Sequence, residues 1–363
     1  MADWSRLPYD IIHKVAAYLE AIEDFHAFSA VCHSWRSVYL AKQWHPSHQV
    51  PLLMLSGIVN SSFKRFFSLY TNKVYNSELL ETCDRRCLGT SSGWLLTVGS
   101  DLKIHLFNPF THVHRGLPPT SSLDVYFGAT LDWYHIIDKA VVIKKPNKEE
   151  LLVFVIYGYL KQLAFCRPGY SSWKSVSASY SGFTDVKCLK DQIFALHDMG
   201  TLVAIDINDL GPPKVKSIAL PLNRWTWEES FLVESSGSLW MIYKCQLGAS
   251  VGKRPIKSII FFAWTFDFNE ERWVELPDLG NHAIFLDDSN CCMSVFEPER
   301  LNCKSNSIYF VSTKLGKLGY GDRRVYCDVG VYDMTSQIVE PFCCVLDIAQ
   351  CCSCPVWVMP SLH

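Results

Sequence analysis

Two hydrophobic periods divide the chain. In the first 45 residues Ile11, Ile12, Val15, Ala16 and Leu19 recur at helical spacing, which lays an apolar stripe along one helix face. Phe25, Phe28, Cys32, Trp35 and Tyr39 then advance by 3, 4, 3 and 4 residues, a second helical face. Pro8 suits the first helical position, because its missing N–H would lack an intrahelical partner there in any case. Asp10, Glu23 and Asp24 place carboxylates near the positive ends of the helix dipoles. The pattern predicts a bundle of two or three short helices over residues 1–45. So small a bundle cannot bury all its apolar side chains, and part of that surface is expected to face a partner.

Past a polar stretch with a proline, from Gln43 to Gln49, helical spacing gives way to short apolar or alternating runs. Residues 46–51 read as a linker and 52–363 as a second, all-β region. Its strand candidates are Leu52–Leu55, Trp94–Val98, Leu151–Tyr157, Ile193–Leu196, Leu202–Ile207, Leu239–Tyr243, Ile259–Phe268, Ile308–Val311 and Val329–Tyr332, with Gly, Pro, Asn and Asp between them. Many short strands and tight turns over such a length mean a sandwich or a propeller.

A weak repeat favours the propeller. An apolar strand, a short polar turn and a strand often carrying Trp or Val recur at Phe107-Asn108-Pro109-Phe110-Thr111, Ile205 to Asp209, Phe266 to Val274 and Tyr332 to Ser336. Less regular copies start at Leu69 and Phe165. The spacing is irregular but near one blade length, so about six blades are expected, with seven left open. The fold class is therefore mostly β with a small α-helical N-terminal part.

Composition sharpens this picture. With 49% apolar and 19% charged residues and twelve Trp among 363, the chain is a packed protein and not a disordered one. Lys and Arg number 34 against 36 Asp and Glu. With no basic block to neutralise a run of phosphates, nucleic acid is not the expected partner. The start has neither a basic n-region nor an apolar h-region, and no apolar run approaches a bilayer span. A soluble protein of the cytoplasm or nucleus is expected, without a membrane partner. The 15 cysteines then read as buried thiols.

Several motifs suggest chemistry and fall short of it. Gly89-Thr90-Ser91-Ser92-Gly93 fits G-x-S-x-G, but Trp94 to Val98 continues as a strand where a nucleophile elbow needs a helix. Cys83 and Cys87, Cys343 and Cys344, and Cys351-Cys352-Ser353-Cys354 supply thiols without two well-spaced pairs. His112 and His114 share a strand face at i and i+2 and have no evident third ligand. The acidic pairs Glu149-Glu150, Glu228-Glu229 and Asp287-Asp288 read as solvated turns. Lys214-Val215-Lys216 and Gly252-Lys253-Arg254-Pro255 read as loop surface too sparse for RNA, and Gly316, Gly319 and Gly321 precede no helix. No catalytic residue, cofactor or metal is expected.

Leu7-Pro8, Asp10-Ile11-Ile12, Val15, Leu19, Asp24-Phe25, Phe28, Val31-Cys32 and Trp35-Arg36 together resemble an F-box, with His33 a departure where Lys or Arg is usual. The remainder resembles plant F-box proteins with a KIB-type β-propeller. That similarity rests on Cys87-Leu88-Gly89, Gly93-Trp94-Leu95, Leu106 to Pro109, Arg272-Trp273-Val274, Ile308-Tyr309-Phe310 and Pro355 to Pro360. The resemblance implies a non-catalytic substrate receptor of an SCF-type cullin-RING ubiquitin ligase. Its F-box would dock on a Skp-type adaptor, and through it on the cullin and RING subunits, while the propeller captures an unknown target protein. The adaptor-binding set it implies is Leu7, Pro8, Asp10, Ile11, Ile12, Val15, Leu19, Val31 and Trp35. The competing reading is an interaction protein that uses the propeller as a scaffold and delivers nothing to a ligase.

Overall fold

The computed structural model describes residues 4–19, 22–41, 49–55, 62–124, 133–144, 151–176, 182–197, 200–207, 213–219, 229–251, 254–287, 292–315, 325–341 and 355–361. A 3-10 turn at Trp4–Arg6 precedes three helices, α1 (Tyr9–Ala17), α2 (Ile22–Ser29) and α3 (His33–Leu40). Pro8 is not the first helical residue but the one before it, extended at φ −56° and ψ 146°, and its carbonyl accepts the Ile11 and Ile12 amides at 3.1 Å. The run from Phe25 to Tyr39 is broken at Cys32, whose extended backbone (φ −166°, ψ 177°) separates α2 from α3. Its spacing survives the break because the two helices fold together. Ring centroids of Phe25 and Tyr39 lie 5.0 Å apart, and those of Phe28 and Trp35 4.5 Å.

Six sheets follow. The first contains β1 (Leu52–Leu55), β2 (Phe63–Ser68) and β3 (Lys73–Glu78). The second contains β4 (Arg85–Gly89), β5 (Leu95–Gly99), β6 (Ile104–Phe107) and β7 (His114–Leu117). The third contains β8 (Ile137–Lys144), β9 (Leu151–Tyr157), β10 (Gln162–Cys166) and β11 (Lys174–Ser175), and the fourth β12 (Phe183–Leu189), β13 (Gln192–His197), β14 (Thr201–Asp206) and β15 (Lys214–Ala219). The fifth contains β16 (Glu229–Ser235), β17 (Ser238–Val251), β18 (Arg254–Asp267) and β19 (Arg272–Leu276). The sixth contains β20 (His282–Asp287), β21 (Met293–Phe296), β22 (Ser307–Leu315), β23 (Val325–Asp333) and β24 (Val339–Pro341). The last strand, β25 (Val356–Val358), returns to the first sheet and pairs antiparallel with β1, Leu53 opposite Trp357. The molecule is a six-bladed β-propeller closed by its C-terminal strand.

Each recurring hairpin of the sequence is the outermost hairpin of one blade. In several of them the polar turn has a physical cause, an Asn or Asp side chain that accepts backbone amides two or three residues on. Asn108 Oδ1 takes those of Phe110 and Thr111 (2.9 and 3.1 Å), and Asp267 Oδ1 those of Asn269 and Glu270 (2.9 and 3.2 Å). The tryptophans near these turns tie blades together. The Trp173 indole N–H donates to Pro118 O (2.9 Å) and that of Trp273 to Gly200 O (3.1 Å). Both bonds run to the preceding blade.

Apolar residues collect between the blades, one cluster to each interface. Along β9, Val153, Val155 and Tyr157 face the second blade, while Leu152, Phe154 and Ile156 face the fourth. Burial on both sides explains why Leu151–Tyr157 is an unbroken apolar run. Blade six departs from the simple pattern, since β20 and β22 pair in parallel and β21 lies inside them.

Candidate functional site

Helix α1 presents two faces. Ile12 and Ala16 are buried, and Leu19 packs against the same core. Beside this face Pro8, Ile11, Val15 and Tyr18 follow at intervals of 3, 4 and 3, with Val15 at the border and packed against the same core. Ile11 is 38% and Tyr18 84% exposed, Pro8 is exposed and Val15 is half-buried. Ile12, at 1%, is therefore a core residue. It drops out of the expected docking set because the apolar stripe is wider than the outward face. Asp10 is exposed in the first turn of α1. Val31 is 51% exposed in the α2–α3 connection, and Leu7 is half-buried. Trp35 is half-buried beside Phe28, and its indole N–H donates to Trp4 O at 3.1 Å, bracing the 3-10 turn against α3. Tyr18, absent from the expected set, continues the outward 3-4-3 spacing, which was the signal available for it.

The bundle does not depend on its own core alone. Ile12, Ala16, Ile22, Phe25, Phe28 and Val38 form one continuous apolar cluster with Leu52, Leu95, Phe107 and Phe110 of the first two blades. Strand order fixes where this happens. Leu53 at the start of β1 lies opposite Phe67 at the end of β2, so the bundle enters the ring at the end where the outer hairpins turn. Phe110, in one of those turns, belongs to the cluster. Trp44, which invites a role in this junction, lies outside the described residues.

Polar side chains of different blades also meet. Lys187 Nζ donates to Cys292 O (2.7 Å) and Ser91 Oγ (3.3 Å), joining blade four to blades six and two. Buried Asp185 accepts the Leu232 amide at 2.6 Å. Lys139 Nζ stands 4.7 Å above the Phe231 ring. Ser91 lies in the tight β4–β5 turn, where Thr90 Oγ1 donates to Trp94 O at 2.8 Å, and a strand follows it. The G-x-S-x-G sequence is thus a blade turn, and Ser91 is approached by an amine that donates to it. A nucleophilic serine needs a base that accepts.

Other sequence candidates separate in space. His112 occupies a left-handed turn position (φ 55°), whereas His114 is on β7 with its ring 4.5 Å from His105, so the two do not share a strand face. Burial, with Arg85 and His114 nearby, pushes the His105 pKa down to about 4. Burial also raises the Cys87 thiol to about 11 and those of Cys166 and Cys303 to about 12, which keeps them protonated and poor as nucleophiles. Cys343, Cys344, Cys351, Cys352 and Cys354 lie outside the described residues, as do Glu149, Glu150, Glu228 and Asp288. Asp287, read as solvated, is not so, and Glu229 keeps an exposed side chain but stands on β16 and not in a turn. Glu229 pairs with buried Lys244 at 2.7 Å, and Asp287 is buried with the Trp357 amide donating to it. Their partners are remote in sequence or across a strand pair, where a local pattern cannot show them. Among the described residues no helix is long and apolar enough to cross a membrane.

A helical bundle of this kind fused to a closed propeller is the architecture of an F-box protein with a propeller for its second domain. Residues 4–38 match the F-box domain model and residues 66–333 the KIB1-4 beta-propeller model. The chain belongs to the KIB1-4 beta-propeller family and carries an F-box at its N-terminal side. Similar proteins of Arabidopsis thaliana include F-box protein SKIP23, 27% identical over 94% of this chain and 91% of that protein. F-box protein At2g26160 is 26% identical over 85% of this chain and 95% of its own length. F-box protein At2g17036 is 24% identical, covering 94% and 90%.

Proposed function

We propose that the chain is the substrate-recognition subunit of an SCF-type cullin-RING ubiquitin ligase acting in the cytoplasm or nucleus. The observation that carries this reading is the outward edge of α1, exposed Pro8, Ile11 and Tyr18 with half-buried Val15 bordering the core, on a bundle whose other face is sealed to the propeller. An amphipathic helix with an uncovered apolar stripe fits a groove on a partner. Leu7, Asp10, Leu19, Val31 and Trp35 flank or brace that stripe and complete the surface offered to a Skp-type adaptor. The adaptor brings the cullin and RING subunits, and the propeller holds a target protein.

The chain's own contribution to ubiquitin transfer is geometric. A continuous apolar cluster joins the bundle to blades one and two, so a target on the far end of the ring is held in a fixed relation to the adaptor. Holding a lysine near the conjugating enzyme raises its effective concentration without any catalytic group on this chain. The test is co-precipitation of a Skp-type adaptor with cullin and RING subunits by the intact chain, beside a Leu7→Ala/Pro8→Ala variant. Recovery by the wild type and loss by the folded variant are expected. A folded wild type that recovers no adaptor would overturn the reading in favour of a free-standing propeller scaffold.

A further inference from the structure

Along β2, Phe66 packs into the apolar cluster between the first and second blades. Residues two apart in a strand share a face, so Lys64 points into the same gap, as does Ser77 opposite it on β3. Cys87, Leu95 and Phe107 bring the second blade to this cluster, and the same period turns Arg85, Thr97 and His105 toward the first blade. Lys64 and Arg85 therefore approach one another from two blades. The Cys87 thiol agrees, since burial raises it and Lys64 and Arg85 are the two charges that act against the rise. Both cations stand away from the bundle. Lys64 is near the start of β2, far from the outer turn after Ser68, and Arg85 pairs with Gly99, at the end of β5 remote from the Leu95–Phe107 pair.

The two cations differ in their partners. Arg85 is satisfied: Nε donates to Thr97 Oγ1 (3.1 Å), one terminal nitrogen to Asp101 Oδ1 (3.2 Å) and the other to the carbonyls of Thr97 and Lys103. Lys64 is only 6% exposed, and among the described residues its ammonium makes no hydrogen bond or ion pair. The groups around it offer no counter-charge in contact. Asp101 serves Arg85, and Glu78 lies opposite Phe63 and so on the other face of the sheet. His105, its pKa pushed down to about 4 chiefly by burial, is neutral at pH 7. A buried ammonium with its N–H groups unmatched is costly to hold. The sheet has no use for the charge, since the next residue on that face is Phe66.

One unmatched positive charge calls for one negative charge, on a group small enough to reach a buried site. A carboxylate has that charge and two oxygens that accept from an ammonium, whereas a phosphate dianion would overcompensate. We propose that the gap between the first and second blades, at its end away from the bundle, is a carboxylate-binding site. Lys64 is its anchor, the Ser77 hydroxyl a second donor, and Arg85 a fixed positive field that adds to the attraction. The carboxylate belongs either to a free small acid or to an acidic side chain of a protein segment. Binding does not depend on the receptor reading, which places a target at this end of the ring and so supplies the second source.

The test is thermal unfolding of the intact chain at constant ionic strength, with sodium acetate replacing sodium chloride stepwise. A second arm uses an end-blocked Gly-Gly-Glu-Gly-Gly peptide against the same peptide with Gln. Acetate is expected to raise the wild-type melting temperature saturably, by about 2 °C at ten times its dissociation constant, and to leave Lys64→Met unmoved. If Lys64→Met melts below the wild type in chloride, Lys64→Gln supplies the comparison. Stabilisation by the Glu peptide and not by its Gln counterpart assigns the site to a protein-borne carboxylate, and stabilisation by acetate alone assigns it to a free acid; both uphold it. No saturable, carboxylate-specific shift in either arm, or an equal shift in the variant, would overturn the proposal. Adaptor binding plays no part in this readout, so the site can fail with the receptor reading intact, and the receptor reading with the site intact.

Discussion

The backbone N–H of Trp357 donates to Oδ2 of Asp287 at 2.7 Å, with both residues buried. The Trp357 indole N–H adds a second bond to Leu286 O at 3.1 Å. The closing strand β25 is thus held from two directions, by β1 of its own sheet and by β20 of the sixth blade. Asp287→Ala strands a buried amide and is expected to lower unfolding stability by about 2–3 kcal/mol. Asp287→Asn keeps an accepting oxygen and should cost less. Urea denaturation followed by Trp fluorescence gives both values, and equal costs would refute the latch.

Gly93 sits under the same C-terminal segment. A Cβ there would lie 2.5 Å from Ser361 Cβ and 2.7 Å from Met359 O, at φ +82°. Gly93→Ala should cost about 2 kcal/mol or more, combining left-handed backbone strain with the clash. Gly237 has φ +76° but nothing within 4 Å of its Cβ position. Gly237→Ala should cost only about 1 kcal/mol. Thermal melts of the two variants isolate the close approach from the backbone effect.

His105 gives the propeller a defined acid sensitivity. Its folded pKa, pushed down to about 4 chiefly by burial, lies below the ordinary value of 6.5. The unfolded chain therefore binds this proton first. The His105 contribution is fully present above about pH 6.5 and is lost as the pH falls toward 4. Between pH 7 and 5 the expected loss is about 1–2 kcal/mol, and His105→Gln should flatten that part of the stability curve. A His105→Gln protein with the same pH dependence as wild type would contradict this.

Local pattern carried the outline of the fold and missed what distance decides. The Asn and Asp turns announce the outer hairpins of the second, fifth and sixth blades because each is stabilised within a few residues, as at Asn108, Asp267 and Asp333. The pairing of Leu53 with Trp357 joins opposite ends of the chain, and no periodicity encodes it. The helical spacing from Phe25 to Tyr39 hides the break at Cys32, because two packed helices preserve a shared face. At the candidate docking surface the apolar stripe of α1 is legible, but which half faces out depends on the propeller beneath it. Hence Ile12 is core, and Tyr18, past the end of α1, is exposed.

Titration calorimetry of the intact chain with a purified Skp-type adaptor, beside Ile11→Asp/Tyr18→Asp, tests the receptor account most directly. Both changes lie on exposed positions of the outward α1 face, so the propeller should melt as in the wild type. The account predicts a one-to-one complex for the wild type and an affinity reduced at least about tenfold for the variant. A folded wild type that gives no complex, or a variant that binds as tightly, would contradict it.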